Sequence, residues 1–256
     1  YGKAKSPLTL VRRLPGQAPR INTLERQRKN DYGPGEVAAR DRVVFHSGQL
    51  RGTGILVTDY ENLQRGSSYV VWLPNLRKLR RFAQPDQSDA WGGSNFTYGD
   101  VYLRRAHDET HELLGEEPFP DCLGALQLAV DEKTRYTKGM PEPSCTPRGR
   151  MTYKLKSRPR EADTDYDYRI VWVDRESFAD YRSEFYKGGR LFKRIDKDWR
   201  SMDLDDPRGL FWAYWYAISP GDGNQGMAFI DPRAVSWNDD LHEDFWSESN
   251  LRRIKR

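Results

Sequence analysis

Two cysteines, Cys122 and Cys145, are all the chain has. They bracket a stretch holding Gly139, Pro141 and Pro143, with Pro147 just beyond. A lone pair around a loop-like segment reads as one disulfide in an oxidising compartment, set against two unpaired thiols in the cytosol. Long apolar runs are lacking too. The most apolar one, residues 210–218, falls far short of the roughly 20 residues a helical span needs, so no transmembrane helix is expected. No signal peptide is visible, and the expectation is an export signal already removed. Nor is there an excess of one charge. With 42 basic and 38 acidic residues the surface is mixed, which argues against a nucleic-acid binder built on Arg77–Arg81 and Arg252–Arg256.

Signatures of catalysis are missing as well. There is no Gly-x-Ser-x-Gly elbow, no phosphate loop and no dinucleotide fingerprint, so neither enzyme chemistry nor a cofactor is expected. His107 and His111 invite a metal reading. On a strand, however, they lie roughly 13 Å apart, and no third ligand is evident, so no metal site is expected. Cys122 as a nucleophile is weighed against its reading as a staple. The carboxylate pairs Asp205-Asp206 and Asp239-Asp240 fall in turn-like segments and read as solvated.

What is present is aromatic. Phe, Trp and Tyr make up 12% of the 256 residues, a level at which a chain folds rather than staying disordered. The pattern is that of strands. Residues 6–14 and 20–28 read as a hairpin around Pro15-Gly16, residues 31–35 as a break, and 42–46 and 53–58 as two more strands. Residues 69–73 (YVVWL) lead through Pro74-Asn75 into 76–82 (LRKLRRF), whose cations would protect a sheet edge or face solvent. Beyond Gly115 the pattern weakens, and residues 121–130 fit a short helix or a strand. Strands resume at 151–156, 168–173, 178–186, 191–195, 210–218 and 227–230, with 235–238 following. Along 210–218, plain alternation puts Leu210, Trp212, Tyr214, Tyr216 and Ile218 on one face. The expected fold is mainly β, a meandering antiparallel sheet in a single domain.

Residues 69–84 (YVVWLPNLRKLRRFAQ) and 91–100 (WGGSNFTYGD) resemble the strand pair and following loop of the LolA-like outer-membrane lipoprotein-sorting family. Residues 168–178, 186–193 and 241–251 resemble later pieces of that pattern in the same order. Asn95 stands where the family usually has an acidic residue, and Gly99 where it more usually has Glu. Residues 118–147, with both cysteines, look like an insertion without a family counterpart. The resemblance implies a half-open antiparallel β-barrel, a curved sheet with a few short helices over its concave face. It also implies a periplasmic carrier of lipid or lipoprotein acyl chains with no chemistry of its own, serving an inner-membrane transporter.

Burial of a C16 chain in a closed apolar groove is worth on the order of 10 kcal/mol. Strands apolar on both faces supply such a groove. The expected cavity lining is therefore Trp72, Trp172, Trp212, Tyr214 and Tyr216, with Phe96 and Tyr98 near the rim. Arg77, Arg80 and Arg81 are expected to meet lipid phosphates or a membrane partner. The rival reading is an envelope adaptor of the same fold, its interior filled by its own side chains.

Overall fold

The computed structural model describes residues 8–31, 35–62, 65–161 and 164–254. Its strands are β1 (Leu8–Arg13), β2 (Arg20–Asn30), β3 (Val37–Phe45), β4 (Gly54–Tyr60), β5 (Ser68–Leu73), β6 (Lys78–Phe82) and β7 (Glu109–Pro118). They continue with β8 (Met151–Pro159), β9 (Tyr168–Asp174), β10 (Asp180–Lys187), β11 (Arg190–Ser201), β12 (Leu210–Ser219) and β13 (Asn224–Ile230). The antiparallel order is β6-β5-β4-β3-β2-β1-β13-β12-β11-β10-β9-β8-β7, a sheet that is not closed. Apart from single helical turns, the helical content of the described residues is α1 (Glu248–Arg252). The chain is mainly β, with an open sheet, as the alternation implied.

Most expected strands appear, several of them longer. β11 runs to Ser201 and β3 starts at Val37. β7 was not foreseen. Its burial is almost wholly exposed, so it has no apolar face to betray it. Residues 121–129 form neither helix nor strand beyond an isolated bridge between Leu123 and Ser144, and Val130 opens a single helical turn, Val130–Glu132. Residues 235–238 are not a strand. Ser6 and Pro7 of the first expected strand, 32–34 of the expected break, and Lys255 and Arg256 lie outside the described residues. The tight turn from β10 into β11 pairs Lys187 with Arg190. Gly188 and Gly189 between them have φ of 55° and 72°, the left-handed region a two-residue hairpin turn demands.

Contacts group the chain into two compact units. The first comprises Tyr1–Thr9, Ile21–Asp86 and Ile230–Arg256. In it, residues 241–254 lie as a strap over one face of β4–β6. Leu56, Val70, Trp246 and Leu251 form its core, with Trp72, Leu79, Leu241, Phe245 and Ile254 packed around them. Ser247 caps α1 by accepting from the Asn250 N–H. Charges fasten the strap at its margins: Glu243 meets Lys29 and Arg40, Glu248 meets Arg81 at 2.5 Å, and Arg42 lies 4.5 Å over the Phe245 ring. The opposite face, over β3–β5, carries Val43, Phe45, Val57 and Tyr69, all buried, with Ile55 and Val71 half-buried. It also holds a buried Arg26–Asp41 ion pair.

The second unit comprises Leu10–Arg20 and Gln87–Phe229. Irregular segments of the unit itself pack on both faces of β10–β12, while β7 stays exposed, and these segments position the residues singled out from the sequence.

Candidate functional site

Residues directly opposite one another in an antiparallel pair share a face, so register decides which aromatic points where. Asp196 pairs with Tyr216, and Asp198 with Tyr214. Next in line, Trp199 pairs with Trp212, which leaves Ala213 as an extra residue in β12. That bulge turns Trp212 onto the face of Lys197 and Trp215. The Trp212 and Trp215 rings are 5.7 Å apart between centroids. The alternation read from the sequence, with Trp212 beside Tyr214 and Tyr216, is therefore corrected.

Tyr214 and Tyr216 lie on the face covered by residues 119–147. Gly124 sits so close that a Cβ there would come within 2.8 Å of the Tyr216 ring. The Gly124 N–H donates to Asp196, and the Ser144 hydroxyl donates to Asp198. Arg182 is the central tie. It donates to Asp196 at 2.7 Å, to Asp121 at 2.6 Å and to the Cys122 carbonyl at 3.0 Å. Phe119 stands edge-on to Trp172 at 6.5 Å. Cys122 and Cys145 are joined in the expected disulfide, which closes the segment. Trp172, Tyr214 and Tyr216 are thus beneath a fixed cover made by the chain itself. Burial raises the pKa of Tyr214, and it raises that of Asp198 despite the nearby Arg200.

The other face of this unit, with Trp212 and Trp215, receives residues 91–104. Phe96 is 1% exposed and meets Trp215 edge-on at 5.9 Å. Asn95, in place of an acid, lies against Gly226, where a Cβ would approach its own Cβ to 2.9 Å. The Asn95 Oδ1 is itself buried with no hydrogen-bond partner among the described residues, and a carboxylate there would lose its water with nothing in exchange. Tyr98 is half-buried, which raises its pKa. Lys197 lies 4.2 Å over the Trp215 ring. The Trp215 indole N–H is buried with no hydrogen-bond partner among the described residues, a state that costs about 1–3 kcal/mol.

What holds 91–104 to the sheet is ionic. The Asp100 side chain, 1% exposed, is gripped by Lys193 and by Arg104 at 3.4 Å. It also accepts from the Thr97 N–H, while Thr97 accepts from the Asp100 N–H. Burial pushes its pKa up, the two cations outweigh this, and the balance falls at about 2. Arg104 lies over the rings of Tyr166 and Phe185, and Glu109 accepts from Arg169 and Tyr166. The Tyr166 pKa is pushed up to about 12, first by burial and then by Glu109. None of these charges was singled out in advance. The available signal was the placement of Arg182, Lys193, Asp196 and Asp198 at core-facing positions of otherwise apolar strands.

Trp72 belongs to the other unit, on the β5 face beneath the C-terminal strap, paired with Leu79 and Gly54. Its indole N–H is also buried without a partner among the described residues. Arg80 and Arg81 point to opposite faces of the edge strand β6. Both are exposed, and Arg81 pairs with Glu248. Arg77 is in the turn before β6, at φ 49°. His111 has both ring nitrogens engaged, by Ser157 and by the Ala106 carbonyl, each at 2.8 Å. Among the described residues no three potential metal ligands cluster, and no helix is long and apolar enough to cross a membrane.

A family model described as an uncharacterized protein matches residues 40–140. No curated protein matches. Among solved structures, a domain from Vibrio parahaemolyticus described as outer membrane lipoprotein-sorting matches at 16% identity and TM-score 0.67, over 96% of this chain and 89% of that one. A DUF1329 family protein from Desulfovibrio piger matches at 18% and 0.69, over 95% and 89%. A LolA superfamily protein from Nitrosomonas europaea matches at 16% and 0.58, over 95% and 89%. At these identities the likeness is one of fold, and the fold is LolA-like, in agreement with the motifs of residues 69–100.

Proposed function

We propose that the protein is a periplasmic, non-enzymatic carrier of lipid or lipoprotein acyl chains that works beside an inner-membrane transporter. The observation that carries this reading is the likeness, over almost the whole chain, to a fold in which one neighbour is described as lipoprotein-sorting. The apolar strand faces support it. An acyl chain has one wall to lie against in each unit: Val43, Phe45, Val57 and Tyr69 in the first, Phe96, Trp212 and Trp215 in the second. The unpartnered indole N–H of Trp215 suits an ester carbonyl of the guest, whereas that of Trp72 is reached only if the C-terminal strap moves. Reaching Trp172, Tyr214 or Tyr216 requires the disulfide-closed segment to move. Arg77 and Arg80, exposed on and beside an edge strand, are the proposed contacts to headgroups or partner, with Arg81 available once Glu248 lets go. That both units act as one domain belongs to this proposal.

The adaptor reading keeps one observation in its favour: in the second unit both sheet faces are filled by the chain's own side chains. Native mass spectrometry of the purified protein separates the two. The carrier reading expects co-purifying acyl species, and a fluorescent fatty acid that binds and is displaced by unlabelled lipid. A clean protein indifferent to the probe gives preference to the adaptor.

A further inference from the structure

The segment closed by Cys122 and Cys145 does more than cover the sheet. On its outer side residues 127–142 enclose a cleft of about 370 Å³, the size range of small-ligand sites. Lys133, Arg135 and Lys138 line it with Thr134 and Thr137. Among the described residues no carboxylate pairs with any of the three cations. Glu142, also at the cleft, already accepts from Gln127 at 3.0 Å. Three like charges within six residues repel one another; with Glu132 held by Arg13 and the Ala129 N–H, Asp131 outside the lining and Glu142 the lining's one carboxylate, the cleft keeps a positive excess suited to an anion.

The walls are preformed. Thr137 accepts from the Thr134 N–H and donates to the Thr134 carbonyl; the Met140 N–H then bonds to the Thr137 carbonyl. Arg135 is steadied by Tyr136, whose ring lies 4.7 Å from the guanidinium carbon and whose hydroxyl accepts at 2.6 Å. Leu128, 8% exposed, anchors the floor. The disulfide and the Leu123–Ser144 bridge tie the ends. An anion therefore meets a site already ordered, without first fixing a loop.

We propose that this cleft binds a phosphate group. Three cations, one of them a planar guanidinium with several N–H donors, match the charge and oxygens of a phosphate better than a single carboxylate. The phosphate has two possible sources, a lipid headgroup at a membrane surface or a soluble phosphate compound. One feature bears on the choice: Val130, 89% exposed at the corner beside the cleft, is an apolar tip suited to a lipid surface. The inference stands apart from acyl-chain carriage, because none of its residues lies among the proposed lining.

The test uses the intact, oxidised chain and a triple variant, Lys133→Gln, Arg135→Gln and Lys138→Gln. All three side chains are exposed, so the variant keeps its fold, which circular dichroism checks. Inorganic phosphate is titrated by calorimetry at constant ionic strength with chloride as the control. Saturable binding that weakens at least about tenfold in the variant supports the proposal. Co-sedimentation with phosphatidylcholine vesicles containing phosphatidylglycerol, absent for phosphatidylcholine alone and lost in the variant, assigns the headgroup source. Phosphate binding without vesicle binding assigns the soluble source. No saturable phosphate or vesicle binding by the wild type, equal binding by the variant, or binding that chloride reproduces overturns it.

Discussion

Replacing Asp100 by asparagine keeps the shape of the side chain and removes its charge. In the native protein that carboxylate stands between Lys193 and Arg104 with 1% of its side chain exposed. Its pKa, raised by burial and lowered further by the two cations, is about 2 against an ordinary 3.8. The folded value lies below the unfolded one. The ionised group therefore gives its full stabilisation above the ordinary value and loses it as pH falls through the folded value. A depression of this size corresponds to about 2–3 kcal/mol near neutral pH. Removing the charge also leaves two buried cations short of a counter-charge, so the penalty near neutral pH is expected at about 3 kcal/mol. Urea unfolding of wild type and Asp100→Asn, each measured at a series of pH values, reads it. The difference in unfolding free energy should be greatest near neutrality and shrink toward zero as the wild-type carboxylate itself takes up a proton. Tryptophan emission adds a local readout, because residues 91–104 bring Phe96 onto Trp215. A gap that stays constant with pH, or stays below about 1 kcal/mol throughout, would refute the reasoning and reduce the cluster to the standing of a surface ion pair.

Leu251→Ala, at a fully buried position of the strap, is expected to cost about 2–5 kcal/mol and to raise quencher access to Trp246, read by denaturation and acrylamide quenching. Changing Cys122 and Cys145 together to serine releases a loop spanning a sequence separation of 23, an expected loss of about 3 kcal/mol measured by thermal unfolding with and without reductant. Trp215→Phe keeps an aromatic ring and removes the unpartnered N–H. The free protein should lose little stability or gain up to about 1 kcal/mol, while affinity for a fluorescent acyl probe falls. A probe affinity unchanged by this variant would remove the indole from the proposed wall.

Much of the fold was legible because burial leaves a trace in residue type. The β5–β6 hairpin and the long β12 announce themselves by apolar runs between turn residues. β7 left no such trace: exposed along nearly its whole length, ETHELLGEEP reads as a polar stretch. β11 was expected only over 191–195, and its continuation carries the acidic residues Asp196 and Asp198. Asp196 and Asp198 are nevertheless buried, since Arg182, Gly124 and Ser144 satisfy them from outside the strand. The cover of residues 119–147 has no periodicity at all. It is held by a disulfide, which the lone cysteine pair announced, and by an isolated bridge and side-chain bonds to partners far along the chain, which have no local signature. The aromatic wall was read as a set of residue types but not as an arrangement, since the side on which each ring falls depends on pairing register.

Ala213 makes the point in a single residue. Pair it in regular register with β11, and the bulge disappears. Trp212 would then swing across the sheet to join Tyr214 and Tyr216 under the disulfide-closed cover, and the indole pair would be split. One small, featureless side chain thus decides how the tryptophans are shared between the two sides. A relative lacking this residue altogether should keep its two indoles together, whereas one that pairs it in register should divide them.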